Sequence, residues 1–557
     1  MTAGAELQAV TDTMEDLMIL TLRRLALLSC LLFVAACQPA VQKDLAEPTD
    51  AAEVLPTIDL VAMTVPQLQR QLSSGELSAT DVTRAYLHRI AQLDDAGPTL
   101  NAVIELNPDA LTIAGELDDR YAADGVTGPL HGIPVLLKAN IDTNDAMATS
   151  AGSLALAGHN AARDAFHVAR LRAAGAVILG KTNLSEWANF RDDDSSSGWS
   201  SLGGQTRNPH VLDRNPCGSS SGSAAAVAAS LSPLAVGTET NGSIVCPAGI
   251  NGIVGIKPTL GTVSRSGIIP IAHSQDTAGP MAKTVTGAAL MLEAMVGFDA
   301  EDSGATTHLQ PFRFQPDPQT TSLTGKRIGV YRSYYGIGTF PEVDAIYENA
   351  VATLTALGAT VVDPINYTPP ETEGNPHYEV LLFEFKADLN AYLAAHEIDE
   401  SIDTLEKLIA WNEENAATAM PIFEQSVFYD AQAKNGLDDP DYLTAVEASN
   451  EHMRTVLDGL LADNDLDALF IPVNGPAWKT DWIQGDRFSF GGTSSLAAVS
   501  GYPSVVVPVG DVRGLPIAVG FVGAAFSEAQ LIQMAYVFEQ ATQARIDPKF
   551  VPSLEVD

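Results

Sequence analysis

The sequence predicts an α/β fold, a single large domain whose central β-sheet is covered by helices on both faces. Beyond residue 258, short apolar strand patterns such as Arg327–Tyr331 and Leu466–Val473 alternate with helical patterns such as Tyr378–Ala395. This alternation is typical of a sheet packed between helices. The 557 residues, of which 46% are hydrophobic, can bury a large core without disulfide bonds. No internal repeat is visible in the pattern, so one domain is expected.

The start of the chain carries a pattern typical of an export signal. Arg23 and Arg24 precede the apolar run Leu25–Ala36, which ends in small residues before Cys37. Such a run is too short to span a bilayer, but it fits the apolar part of a signal peptide. The small residues before Cys37 resemble a bacterial lipobox. This resemblance implies cleavage before Cys37 and lipidation of its thiol.

These features divide the chain into three segments. Residues 1–36 are predicted to be a lipoprotein signal peptide, with Met14 or Met18 as an alternative start. Residues 37–57 are predicted to be the lipidated cysteine and a polar tether, and residues 58–557 the folded domain. We therefore expect an exported bacterial lipoprotein, anchored through its lipid at the periplasmic face of a membrane. Gln38 after the cysteine favours the outer membrane in a cell with two membranes.

The charge of the chain restricts its partners. The sequence has 31 basic and 69 acidic residues and a formal net charge of −38. Such a charge repels the phosphate backbone of nucleic acids and anionic lipid surfaces. A nucleic-acid partner is therefore not expected, and the acidity itself indicates a solvated surface rather than a particular substrate.

A lysine is set into an apolar strand pattern in the first half of the chain. The segment Leu130–Ile141 is largely apolar and contains Lys138. A lysine in such a run is ordinarily a side chain that extends to the surface from a strand end. The pattern alone therefore favours a structural role for Lys138.

A second segment matches a nucleotide-binding motif in its letters only. Gly175–Thr182 fits the GxxxxGK[ST] pattern of phosphate loops. In such a loop the four intervening residues form a turn that follows a strand, whereas here Ala176–Leu179 are themselves the apolar strand pattern. Nucleotide binding is therefore not expected. No His/Cys/Asp cluster with metal-ligand spacing is visible in the sequence either.

The stretch Cys217–Pro258 is unusually rich in small residues. A run of serine and glycine is followed by an Ala-rich helical pattern, the strand pattern Leu234–Val236 and the turn Gly237–Ser243. Small residues allow close approach of the backbone, and a turn that leaves a strand can direct several N–H groups at one point. A negatively charged oxygen in a reaction requires such a group of donors.

The same stretch also matches the nucleophile motif of α/β-hydrolases. Gly218–Gly222 fits GxSxG, whose serine must follow a strand. The preceding residues 205–216 are polar and include two prolines, so a central strand is not expected there. No histidine motif completes a Ser–Asp–His set in the C-terminal half. An α/β-hydrolase-type esterase is therefore the less favoured alternative.

Several segments together resemble the amidase signature family. They are the CGSSSGS run at residues 217–223, the Gly-Ser-Ile turn at 242–244, HGIP at 131–134 with Lys138 after it, and the stretches Ser185–Arg191 and Ser274–Pro280. The run and the last two stretches are most similar to the bacterial peptide amidase branch. The resemblance covers roughly residues 58–545. It implies a mixed central sheet and an amidase domain over residues 58–557.

The resemblance also implies a Ser–cis-Ser–Lys triad. Ser243 would be the nucleophile, Ser219 the bridging serine and Lys138 the base. The oxyanion would be held by the backbone N–H groups of Thr240, Asn241, Gly242 and Ser243. A neutral lysine can accept a proton through the bridging serine. Neither a cofactor nor a metal is implied.

One departure from the family pattern lies next to the lysine. Ala139 stands where an aspartate is common. A neighbouring carboxylate favours the charged form of a lysine. Ala139 therefore adds no carboxylate to oppose the loss of the proton from Lys138, and this departure bears on the tuning of Lys138 and not on its identity.

The expected reaction is hydrolysis of a linear carboxamide to a carboxylate and ammonia. The similarity to peptide amidases favours C-terminal amides of peptides, with aryl and fatty acyl amides as the alternative within the family. A further alternative is a binding lipoprotein without catalytic activity. Loss of a triad residue would have suggested it, but all three residues are present. The expected partners are the amide substrate and the membrane, reached through the lipid anchor, and a monomer is expected.

Two cysteines flank the serine clusters. Removal of the signal would leave Cys217 and Cys246 as the only thiols besides Cys37. An exported protein could oxidise them to a disulfide, but free buried cysteines fit the sequence equally well.

Overall fold

The protein is described by a computed structural model. The structure describes residues 58–307, 313–333, 336, 338–369, 374–396, 398–488 and 494–554. The predicted signal peptide, Cys37 and the tether lie outside these residues. Over the described ranges, we find no helix with both the length and the apolar composition to cross a membrane.

One large β-sheet organises the described residues. Its eleven strands are β1 (Val103–Leu106), β2 (Pro134–Lys138), β3 (Val177–Thr182), β6 (Leu234–Glu239), β7 (Val254–Lys257), β8 (Thr277–Ala282), β9 (Arg327–Tyr331), β10 (Thr360–Ile365), β11 (Ala468–Pro472), β12 (Ser504–Val512) and β13 (Leu515–Val522). A separate small ribbon pairs β4 (Trp199–Ser200) with β5 (Gly204–Gln205).

The strands of the sheet follow the order β1-β3-β2-β6-β8-β7-β12-β13-β11-β9-β10. The pairs β3–β2, β2–β6, β11–β9 and β9–β10 are parallel, and the remaining pairs are antiparallel. The sheet is therefore mixed. The predicted α/β class, with a mixed central sheet covered by helices on both faces, is confirmed.

Sixteen α-helices are found in the described residues. They are α1 (Val65–Ser74), α2 (Ala79–Leu93), α3 (Ala110–Asp124), α4 (Phe166–Ala173), α5 (Ser221–Ala228), α6 (Val245–Ile250), α7 (Val285–Met295), α8 (Pro341–Ala356), α9 (Pro376–Ala395), α10 (Leu405–Glu414), α11 (Ala416–Ala419), α12 (Ser426–Gln432), α13 (Pro440–Val446), α14 (His452–Asp463), α15 (Ser494–Ser500) and α16 (Glu528–Thr542). Short 3₁₀ turns occupy Leu154–Leu156 and Glu186–Asn189, and a π-helical turn occupies Glu447–Glu451.

Local sequence signals account for several element boundaries. The hydroxyl of Ser78 accepts a hydrogen bond from the Asp81 N–H, while the Asp81 side chain accepts one from the Ser78 N–H, so that a capping box begins α2. The apolar run around Lys138 forms β2, and all but the first two residues of the phosphate-loop pattern form β3. That segment is therefore a strand, as its apolar residues predict.

The register of the central strands brings the family-like motifs to one end of β2, β6 and β8. In the parallel pair β2–β6, Leu137 lies opposite Val236, so Lys138 and the end of β6 are adjacent. In the antiparallel pair β6–β8, Glu239 lies opposite Thr277, the first residue of β8. The residues that follow β2 and β6 and precede β8 therefore meet at the same place.

Candidate active site

Lys138 ends the buried strand β2 and is fully buried itself. Its Nζ lies 2.7 Å from Ser219 Oγ, 2.9 Å from Thr238 Oγ1 and 3.3 Å from the Thr238 carbonyl oxygen. Burial lowers the pKa of Lys138 from 10.5 to about 7, because the charged form loses its hydration. A substantial fraction of this amine is therefore neutral near pH 7.

Ser219 lies in the loop before α5 and is also fully buried. The peptide bond between Gly218 and Ser219 is cis, and the Ser219 carbonyl accepts a hydrogen bond from the Ser185 N–H at 3.1 Å. A side chain at position 218 would have no room, because a Cβ there would lie 2.2 Å from Ser185 Oγ. The glycine therefore permits the close packing that places Ser219 beside Lys138.

The neighbouring serines are engaged elsewhere. Ser220 Oγ donates to the Thr238 carbonyl at 3.0 Å and accepts from the Thr238 N–H at 3.2 Å. Ser221 Oγ donates to the Cys217 carbonyl at 2.6 Å. Both side chains are fully buried, and no strand precedes them. The elbow geometry of an α/β-hydrolase is absent from this described segment.

Ser243 lies in the turn between β6 and α6. Gly242 adopts φ +86°, a conformation that favours glycine. The Ser243 carbonyl accepts a hydrogen bond from the Ser220 N–H at 3.2 Å, which links the two serine clusters. The Ser243 hydroxyl has no hydrogen-bond partner among the described residues, and Ser243 lines a cavity. Its hydroxyl is thus available to a bound molecule.

The turn that carries Ser243 presents several N–H groups. The Ile244 and Val245 N–H groups donate to Glu239 Oε2 at 2.7 and 3.0 Å. By contrast, we find no acceptor within the described ranges for the N–H groups of the four preceding residues, Thr240, Asn241, Gly242 and Ser243. Backbone donors without a partner are rare in protein interiors, and these four in succession line the cavity, where a bound molecule can accept from them.

Two carboxylates near Lys138 were missed by the sequence analysis. Asp276 accepts a hydrogen bond from Thr240 Oγ1 at 2.5 Å and from the Ile271 N–H at 2.8 Å. Asp276 and Glu239 both favour the charged lysine, although burial outweighs them. Ala139 adds no carboxylate beside Lys138, but these two distant carboxylates oppose the loss of its proton. Asp276 lies within a stretch that signals the family resemblance, but nothing in the sequence indicates its proximity to Lys138.

The cavity that contains Ser243 has a volume of about 440 Å³, which is in the usual range for small-molecule sites. Its walls are largely apolar, and polar side chains are interspersed among them. Asn241 Nδ2 donates to Ser495 Oγ at 3.0 Å and lies 3.0 Å from His377 Nε2. Neither lysine nor arginine is found among the described lining residues. Lys138 and Ser219 lie outside the lining, so Ser243 alone of the three predicted triad residues faces the cavity.

The two cysteines whose pairing the sequence does not decide form a disulfide. Cys217 and Cys246 are bonded, with their Cα atoms 6.1 Å apart, and both line the cavity. The bond connects the segment before Ser219 with helix α6 after Ser243. It packs beside Ile250, Ala477 and Trp478.

One group among the described residues has donors suited to a metal. His273, Glu384 and Asp388 bring one ligand atom each to within 4.8 Å of one another. His273 Nδ1 lies 2.9 Å from Asp388 Oδ2, and Nε2 lies 3.5 Å from Glu384 Oε1. The hydrogen bond to Asp388 raises the pKa of His273 above its ordinary value. The same contacts place the His273 ring between two carboxylates without any metal, and this group does not line the cavity at Ser243.

Comparisons with known proteins agree on the family. The Amidase family model matches residues 81–532. A probable amidase of Arabidopsis thaliana is 39% identical over 512 residues, 89% of this chain and 93% of that protein. A putative amidase of Schizosaccharomyces pombe is 36% identical over 525 residues, 88% of this chain and 87% of that protein. The crystal structure of the native peptide amidase from Stenotrophomonas maltophilia is 46% identical, with a TM-score of 0.82, and covers 88% of this chain and 99% of its own.

The eukaryotic relatives correct the predicted localisation. Similarity to amidases of a plant and a yeast contradicts the expectation of an exported bacterial lipoprotein at the periplasmic face of a membrane. That expectation rested on a short apolar run and a few small residues before Cys37. Such a pattern carries little information, because apolar runs of this length also occur in buried segments.

The match over residues 81–532, the resemblance of the motifs and the likeness of the fold converge. The chain belongs to the amidase signature family and is an enzyme that hydrolyses amides.

Proposed function

We propose that the enzyme hydrolyses the C-terminal carboxamide of peptides to a carboxylate and ammonia, with Ser243 as nucleophile, Ser219 as bridging serine and Lys138 as base. The observation that carries the proposal is the contact of 2.7 Å between Lys138 Nζ and Ser219 Oγ, beside a cavity that Ser243 lines. The catalytic domain is proposed to comprise residues 58–557 and to act as a monomer.

The contacts of Lys138 can be satisfied by a neutral amine as well as by an ammonium. A neutral amine has two N–H donors and one lone pair, whereas an ammonium has three donors. The Thr238 carbonyl oxygen can only accept, and Thr238 Oγ1 can accept the second N–H. The lone pair is then free to accept the hydroxyl proton of Ser219. Through this relay, Ser219 takes the proton of Ser243 as Ser243 attacks.

The remaining steps follow from the turn at Ser243. The Ser243 oxygen attacks the amide carbon, and the N–H groups of residues 240–243 stabilise the negatively charged oxygen that forms. When the C–N bond breaks, the proton returns through Ser219 to the leaving nitrogen and ammonia departs. Water then attacks the acyl-enzyme along the same proton path and releases the carboxylate.

The cavity favours a peptide amide over free glutamine. An α-carboxylate brought into a largely apolar cavity loses its hydration, and it needs a cation to compensate. The described lining residues include Glu239 but no lysine or arginine. A C-terminal peptide amide has no free carboxylate beside the reacting carbonyl. The 46% identity to a peptide amidase supports the same substrate class.

Aryl amides are the second candidate. The wall of the cavity contains Trp478 and Phe488, together with aliphatic side chains, and aromatic rings pack favourably on such surfaces. The same wall also suits a large apolar side chain in the last residue of a peptide amide. Ammonia release from one amide of each class separates these two candidates.

The test is the release of ammonia from a matched set of amides. The set contains a peptide amide with an apolar last residue, an aryl amide, a fatty acyl amide and free glutamine, each with the wild-type enzyme and with Ser243→Ala. We expect the highest kcat/KM for the peptide amide and no turnover above background in the variant. A preference for the fatty acyl amide or for glutamine would refute the proposed substrate class.

A further inference from the structure

The Cys217–Cys246 disulfide occupies an unusual position for a structural cross-link, because it forms part of the substrate cavity. Cys217 lies two residues before Ser219, and Cys246 lies three residues after Ser243. We propose that this disulfide is a thiol–disulfide exchange site, which small neutral or cationic thiols reach through the substrate cavity, and that its reduction lowers the rate of amide hydrolysis. The expected effect of reduction on the rate of hydrolysis rests on the proposed function.

The two sulfur-bearing residues differ in accessibility. Cys217 is 1% exposed, whereas Cys246 is only partly buried. Both line the cavity of about 440 Å³ that also contains Ser243. Cys246 is therefore the half of the disulfide that an incoming thiol in this cavity would reach first. A molecule bound at Ser243 occupies the same space and should shield the disulfide.

The charge around the cavity selects the kind of thiol. Glu239 lines the cavity. A second cavity of about 360 Å³ shares Asn189, Phe190 and Phe488 with the first. The second cavity is also lined by four acidic residues, Asp192, Asp193, Asp194 and Asp486. Neither cavity has a lysine or arginine among its described lining residues. A thiol that carries carboxylates is therefore repelled, while a neutral or cationic thiol is not.

The exchange is a balanced two-step reaction. A thiolate attacks Cys246 Sγ, the bond between the two cysteines breaks, and Cys217 leaves as a thiolate that takes up a proton. A second thiol then attacks the mixed disulfide at its outer sulfur and releases the Cys246 thiol. Overall, two molecules of the small thiol are oxidised to one disulfide, and the protein disulfide is reduced to two thiols.

Reduction affects the active site because the disulfide joins the segments that carry the two serines. Without it, these segments are still joined by hydrogen bonds from the Ser220 N–H to the Ser243 carbonyl, between the Ser220 hydroxyl and the Thr238 backbone, and from Asn251 Nδ2 to the Pro216 carbonyl, but by no covalent bond. Cys217 itself has a φ of +57°, an uncommon conformation for a residue with a side chain. Release of Cys217 allows the Ser219 segment to shift. Displacements of about 1 Å at reacting groups can cost as much as ~100-fold in rate, and we expect a fall of about tenfold in kcat.

The experiment uses the full chain with Cys30→Ser and Cys37→Ser, so that only the disulfide contributes thiols. The folded enzyme is treated with cysteamine, which is cationic, or with mercaptosuccinate, which is anionic, at equal thiolate concentrations. Samples are quenched with acid and alkylated under denaturing conditions, and the number of alkylated thiols per chain is measured by mass spectrometry. Activity is measured in parallel. Cysteamine should reduce the disulfide to two thiols per chain. Activity should fall in proportion to the number of thiols that form. Mercaptosuccinate should react at least tenfold more slowly.

Two controls separate the parts of the proposal. A saturating amide or competitive inhibitor should slow the appearance of thiols, and the variant Cys217→Ser/Cys246→Ser should show no response of its activity to either thiol. A disulfide that stays closed in the folded protein but opens in urea would refute the exchange site, as would equal rates with the two thiols. Thiols that appear without a loss of activity would refute the effect on catalysis. If no amide is hydrolysed at all, the proposed function fails, whereas the thiol count still decides whether the exchange site exists.

Discussion

Lys138 Nζ lies 2.7 Å from Ser219 Oγ although 81 residues separate the two in the chain. The contact joins the last residue of a buried strand to a loop packed against Ser185. Because both side chains are fully buried, the pair is shielded from water. A proton exchanged between them therefore moves without competition from bulk solvent.

The first prediction concerns the charge of Lys138. Its pKa of about 7 implies that kcat/KM rises with pH through neutrality as the amine loses its proton. Lys138→Ala should abolish this rise of kcat/KM with pH and reduce kcat/KM by several orders of magnitude. Lys138→Arg should be nearly as inactive, because a guanidinium keeps its proton at any usable pH. Substantial activity in Lys138→Arg, measured by ammonia release from a peptide amide, would show that Lys138 is not the base.

The second prediction concerns stability. A buried lysine with a lowered pKa binds fewer protons in the folded chain than in the unfolded chain, where the pKa is 10.5. The free energy of unfolding therefore rises with pH between about 7 and 10.5. Lys138→Met should reduce this rise between pH 7.5 and 9 by up to about 1.4 kcal/mol per pH unit. The free energy of unfolding is measured by urea unfolding at each pH. If it rose equally with pH in the variant and the wild type, Lys138 would not be a buried, neutral lysine.

The third prediction identifies the nucleophile. A fluorophosphonate should label Ser243, whose hydroxyl faces the cavity, and the label should be lost in Ser243→Ala. Ser220→Ala is the matched control, because its hydroxyl holds the Thr238 backbone instead. That variant should lose about 1–3 kcal/mol of stability and keep the label. The label is located by mass spectrometry of the labelled peptide. A label that persisted in Ser243→Ala would contradict the assignment of Ser243 as nucleophile.

The fourth prediction uses the carboxylate that opposes the shift at Lys138. Asp276 favours the charged amine, so Asp276→Asn should lower the pKa of Lys138 further and move the rising limb of kcat/KM to lower pH. Asp299→Asn is a suitable control, because that buried carboxylate accepts from Ser264 Oγ and does not act on Lys138. A limb that moves to higher pH in Asp276→Asn would exclude this electrostatic role.

The fifth prediction concerns metals. The proposed proton relay of Lys138, Ser219 and Ser243 requires no Lewis acid, so we expect kcat/KM to be unchanged after prolonged EDTA treatment and dialysis. The group of His273, Glu384 and Asp388 provides an internal check. If activity fell and returned with a divalent cation, the same treatment of His273→Ala would show whether this group binds the ion.

Local patterns determined much of the fold and of the candidate site. The apolar runs give β2 and β3 their place in the sheet, because a continuous apolar strand is stable only when both faces are covered. The resemblance of several motifs to the amidase signature family was needed to name Ser219, Ser243 and Lys138, because the apolar pattern around Lys138 alone favours a structural lysine. By contrast, the short apolar run before Cys37 led to a wrong localisation.

The tertiary structure alone decided how these residues act on one another. The order of the strands places Asp276 and Glu239 near Lys138, although they are more than 100 residues away in sequence. Electrostatic effects on a pKa depend on distance and burial, which sequence spacing does not encode. The same holds for Cys217 and Cys246, whose pairing requires their Cα atoms to come within 6.1 Å. A residue pattern specifies the chemical groups of a site, but only the packing of distant segments sets the distances and the dielectric surroundings that determine their reactivity.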